Sequence, residues 1–79
     1  MPMFDNQVAR QIAQGLLSAG ATTHSLNEVP PLEIRDIAPY PALFRLEIER
    51  LFGIRLMEKD LGMTIDELAS VINLNHAGA

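Results

Sequence analysis

The apolar positions of this chain fall into three helical stripes separated by stretches without a repeat. Val8, Ile12 and Leu16 share one stripe with Ala9, Ala13 and Leu17 beside it, while Gln7, Arg10, Gln11 and Gln14 take the other side. This predicts an amphipathic helix over residues 6–19, with Asp5 as its N-cap and Gly20 as its stop. Gly15 weakens that helix by about 1 kcal/mol relative to Ala.

Residues 20–40 break the pattern. Thr22, Thr23, Ser25 and Asn27 favour local side-chain to backbone bonds over helix. Pro30, Pro31 and Pro39 forbid a long regular element. Leu26, Val29, Leu32, Ile34 and Ile37 are nevertheless apolar, so the segment is expected to pack across the other elements, with one helical turn at residues 32–36.

Pro41 suits the first turn of a helix, and Gly53 suits its end. At 100° per residue, Leu43, Phe44, Ile48, Leu51 and Phe52 gather on one face of that second helix. Arg45, Glu49 and Arg50 lie opposite. Leu46 falls among these charges rather than with the core, and Glu47 falls at the edge of the apolar arc. Ile54-Arg55-Leu56 then reads as a short extended exit with Ile54 and Leu56 on one side. Residues 58–61 predict one helical turn before Gly62. Thr64-Ile65-Asp66-Glu67 is a capping box, opening a third helix whose buried stripe is Ile65, Leu68, Ala69 and Ile72. That helix is expected to end near Asn73, with a frayed tail over residues 75–79. Met57 and Met63 read as core gap-fillers. Amphipathic stripes of this kind must be buried against one another, so the fold class is all-α: one domain over residues 1–79, a small three- to four-helix bundle.

Composition narrows the function. There is no Cys, hence no disulfide framework and no thiolate metal site, which fits a reducing compartment, and a cytoplasmic location is expected. The first residues read as no signal peptide, and no apolar run approaches the ~18 residues needed to span a bilayer, so no membrane role is expected. Ten acids against six Lys and Arg give a net charge of -4, the wrong sign for general nucleic-acid binding. One Tyr, three Phe and no Trp supply no base-stacking platform. His24 and His76 are too few and too scattered for zinc, which needs three or four convergent ligands, and read as solvated side chains. Glu58, Asp60, Asp66 and Glu67 lack the calcium-loop spacing and read as a solvated acidic end. No nucleophile with a paired base and no phosphate-cradling glycine loop is visible, so no catalysis is expected.

The running order resembles the acyl carrier protein family over nearly the whole chain. The residues that carry the resemblance are Leu-Glu-Ile-Glu-Arg-Leu-Phe-Gly-Ile-Arg-Leu at 46–56, a short acidic turn, and Thr64-Ile65 followed by Leu68-Ala69 and Ile72. The resemblance implies an acyl-carrier-like bundle. In that family a Ser fourteen residues before the Phe that ends the second helix carries phosphopantetheine. Counting back from Phe52 lands on Ala38, within Ile37-Ala38-Pro39. Ala has no hydroxyl, so no cofactor is expected. The nearest hydroxyls are Tyr40 and Ser25, the latter thirteen residues too early. Ser25 is the cofactor-bearing candidate only if the chain is a genuine acyl or peptidyl carrier of a biosynthetic system with an atypical attachment site. The family's acidic recognition positions match Ile37, Tyr40, Leu43, Glu49 and Arg50, of which only Glu49 keeps an acid. Leu46 matches a position where the family exposes an apolar residue.

The leading expectation is therefore a non-enzymatic carrier-like bundle that binds a protein partner, of the kind a biosynthetic enzyme provides, and is itself a monomer or weak dimer. Tyr40, Arg45, Leu46, Glu49 and Arg50 are the partner-binding candidates, Leu46 being an apolar knob ringed by mixed charge. The plainer reading of the same residues is a solvated helix face. A second resemblance is to the first helix of a helix-turn-helix reader, on Thr64-x-x-Glu67-Leu68-Ala69, whose recognition helix would have to begin directly after Asn75; it implies, as a third reading, a regulatory DNA-binding fragment.

Overall fold

The computed structural model describes residues 7–77, all of whose regular elements are helical. They are α1 (Gln7–Ser18), α2 (Thr23–Leu26), α3 (Ile34–Ile37), α4 (Pro41–Phe52), a 3₁₀ turn (Glu58–Gly62) and α5 (Ile65–Ala77). The proposed cap Asp5 and the first predicted helical residue, Asn6, lie outside the described residues.

α1 packs against both α4 and α5, and α3 packs against the 3₁₀ turn. The core joins Ala9, Ile12 and Leu16 of α1 to Ile34 and Ile37, to Phe44 and Ile48 of α4, and to the predicted stripe of α5. Gly15 is buried where α1 meets α4, and a Cβ there would lie 2.9 Å from Cδ1 of Ile48. The helix thus gives up propensity so that Ile48 can seat. Gly15→Val should destabilise the fold by about 1–3 kcal/mol, the usual overpacking cost, despite its better helix propensity. A urea melt in which Gly15→Val matches or exceeds wild-type stability would show that the two helices are not in contact there.

The irregular segment is more ordered than its sequence predicts. Thr22 Oγ1 accepts from the Ser25 backbone N–H at 3.1 Å, and this local bond caps a helical turn, α2, instead of replacing one. The turn expected at residues 32–36 forms two residues later, as α3. The segment is tied down by the Ile34 N–H donating to the Met63 carbonyl at 2.8 Å, within an isolated antiparallel bridge between Glu33 and Thr64.

The remaining boundaries follow the local chemistry. Pro41 opens α4, and Gly53 closes it in the left-handed conformation at φ 66°, its N–H donating to the Glu49 carbonyl at 2.8 Å. The Thr64 N–H donates to Glu67 Oε1 at 2.9 Å and the Glu67 N–H to Thr64 Oγ1 at 3.3 Å, completing the capping box. α5 runs on past Asn73 through Ala77. Residues 75–77, expected in a frayed tail, continue the helix without a turn after Asn75, and the last two residues of that tail lie outside the described residues. Met57 is exposed rather than a core filler, whereas Met63 packs against the core. No helix among the described residues is long and apolar enough to cross a membrane.

Candidate functional site

α4 is rotated from the face its sequence predicts. Phe44 and Ile48 are fully buried, but Leu43 and Leu51, expected beside them, are exposed. The buried arc is centred near Ile48, and the chain leaving Gly53 folds back along the Arg45 and Glu49 flank of α4, with Leu56 joining the core. That segment is held by two side chains expected to face a partner. The Leu56 N–H donates to Glu49 Oε2 at 2.8 Å, and Arg45 Nη2 donates to the Leu56 carbonyl at 2.9 Å. One turn of helix thus satisfies both backbone groups of Leu56, whose side chain is buried.

The rotation leaves an apolar row on the outer side of α4. Tyr40 is 60% exposed, Leu43 54% and Leu46 64%, at successive intervals of three residues. Tyr40 lies against the turn that follows α1: a Cβ at Gly20, itself at φ 99°, would come within 3.2 Å of the tyrosine ring and of Pro39. Leu43 borders a shallow hollow shared with Ser18, Ala19 and Glu47. Leu46 borders another, with Ala42, Arg45 and Glu49. Beyond the leucines Arg50 Nη2 meets Glu47 Oε2 at 2.8 Å, so the row ends in a neutralised ion pair.

Of the five residues singled out by sequence, Tyr40, Leu46 and Arg50 share this outer face. Arg45 and Glu49 are half-buried and occupied with Leu56. Glu47 joins the face unforeseen, as does Leu43, which matches a family recognition position but was expected in the buried arc. The signal for Glu47 was its i,i+3 spacing from Arg50. For Leu43 no local signal separates a buried from an exposed flank of an apolar arc.

The other candidate chemistry is dispersed. Ala38, at the position matching the carrier attachment site, is 6% exposed at the end of α3, with its N–H bonded to the Ile34 carbonyl at 2.9 Å. Ser25 is half-buried in α2, its hydroxyl 2.9 Å from that of Thr22. The acids near the 3₁₀ turn serve as caps: Asp60 Oδ2 accepts from the Met57 N–H at 2.8 Å, as Glu67 does for Thr64. No group of three or more metal-ligating side chains converges among the described residues.

No family model, curated protein or solved structure matches this chain.

Proposed function

We propose that the chain is an acyl-carrier-like bundle without a prosthetic group of its own, which works by docking the outer face of α4 onto a protein partner. The observation that carries this reading is the row of Leu43 and Leu46 on α4 and Tyr40 at its N-cap, each more than half exposed. Large apolar side chains at helical spacing, ending in a self-neutralised charge pair, have the composition of an interface centre with a polar rim. Recognition of this kind lays a helix into an apolar groove on the partner. The carrier-like part of the reading is supported by the order of elements, and the absence of a prosthetic group by the buried Ala38. A hydroxyl placed there would be enclosed by the core rather than presented to a modifying enzyme. A biosynthetic enzyme in the cytoplasm is the expected partner class.

Leu46→Asp tests the docking face. The variant should keep the wild-type circular dichroism spectrum and melting temperature, because Leu46 is solvated. It should lose the partner that affinity-tagged wild type retains and cross-links through α4, a charge at the centre of an apolar contact costing well over tenfold in affinity. Ser70→Asp, on the exposed side of α5, should retain it. Equal retention by Leu46→Asp would remove the docking face, and loss of helix would place Leu46 in the core. Intact mass after incubation with coenzyme A and a permissive phosphopantetheinyl transferase tests the other half. An unchanged mass is expected, and addition of one phosphopantetheine on Ser25 would make the chain a working carrier instead.

A further inference from the structure

The irregular segment encloses a hollow that the α4 face does not use. It has a volume of about 100 Å³ and lies where the segment crosses the start of α5. Ile37 and Ile65, both almost fully buried, form its inner wall. Leu26 and Leu32, half-buried against the core, form its sides. The charged residues that line it are both acids, Glu28 and Asp66. Glu28 is held on its flank by His24, Nε2 to Oε2 at 3.0 Å, while Asp66 is exposed in the first turn of α5.

An apolar slot bordered by two carboxylates selects an occupant with a hydrocarbon body and a cationic tip. A fatty acid or a phosphate ester meets two like charges there. The volume is below the ~150 Å³ of a cavity that accepts benzene, so the hydrocarbon part must be short. A lysine side chain has this form: a flexible four-carbon stem that packs on apolar surface and an ammonium that stays at the rim. The net charge of -4 draws basic segments toward the molecule as a whole. We propose that this hollow receives a lysine side chain of a protein partner, its stem against Ile37 and Ile65 and its ammonium between Glu28 and Asp66. The proposal is independent of the α4 docking face and stands or falls separately from it.

The test is a methyl NMR titration of the full chain with a short, otherwise uncharged peptide carrying one lysine, and with the same peptide acetylated at Nε. The lysine peptide should shift the methyl signals of Leu26, Leu32, Ile37 and Ile65 in a saturable way. Acetylation should weaken the response about tenfold by removing the ammonium, as should the Glu28→Gln, Asp66→Asn double variant by removing both rim carboxylates, since the same two charge pairs are lost in each comparison. If Asp66→Asn disturbs α5 by circular dichroism, Glu28→Gln alone is read and should weaken binding about threefold. The proposal is overturned by an equal response to the acetylated peptide or by shifts scattered over other acidic residues while these methyls stay still. The absence of any saturable shift overturns it as well.

Discussion

Phe44→Ala should lower stability by about 3–5 kcal/mol, whereas Leu43→Ala, one residue away, should change it by no more than about 0.5 kcal/mol. Phe44 has no exposed surface, and truncating a fully buried Phe costs about 3–5 kcal/mol through lost burial and the cavity left behind. At about 0.05–0.15 kcal/mol per residue, a chain of 79 residues has roughly 4–12 kcal/mol in total, so one truncation removes much of it. Leu43 is more than half exposed and loses only contacts it shares with solvent. A helical wheel alone predicts similar costs for the two. Urea melts followed by circular dichroism separate these cases, and a Leu43→Ala loss comparable to that of Phe44→Ala would mean that α4 buries the flank assigned here to a partner.

What was legible in the sequence follows from how local each signal is. Pro41, Gly53 and the Thr64–Glu67 box act within one turn of chain, and each sets the boundary its chemistry predicts. The stripe Ile65, Leu68, Ala69 and Ile72 was legible because the capping box fixes where its helix starts, and all four are buried. The apolar arc of α4 is wider than its neighbours can cover. Which part is buried depends on two facts outside it: Gly15 admits Ile48 to α1, and Leu56 returns along the Arg45 and Glu49 flank. Periodicity within α4 contains neither. The α2 turn was missed for a different reason. Thr22 and Ser25 favour local bonds, and such a bond serves as a helix cap as readily as a helix breaker. The candidate site inherits both effects. Leu46 was legible from its angular separation from the core, and Tyr40 from its place as an amphipathic side chain between Pro39 and Pro41. The reassignment of Arg45 and Glu49 was not, because charged residues opposite an apolar stripe look the same whether they meet water, a partner or a returning strand of backbone.

That ambiguity has an experimental resolution with a large expected effect. Glu49→Ala should lower stability by about 1.5–3 kcal/mol, since it removes a charged acceptor from the N–H of the buried Leu56. For a domain of this size the corresponding fall in melting temperature is roughly 10 °C or more. Glu49→Gln retains a carbonyl acceptor at similar reach and should lose well under half as much. Arg45→Met keeps the stem but withdraws the donor from the Leu56 carbonyl. A carbonyl tolerates under-satisfaction better than an N–H, so this loss should be the smaller of the two. Because both side chains hold one residue, the double variant Arg45→Met, Glu49→Ala should be less destabilised than the sum of the singles, by about 0.5 kcal/mol or more. Once Leu56 is released by either change, the second has less left to remove. Binding to the partner at the outer face should survive in Glu49→Gln under conditions where the fold is intact, because Glu49 points to Leu56 and not outward. Wild-type melting behaviour in Glu49→Ala together with lost binding would reverse the assignment: the acid would then belong to the docking surface, and the exit segment would be held by its apolar contacts alone.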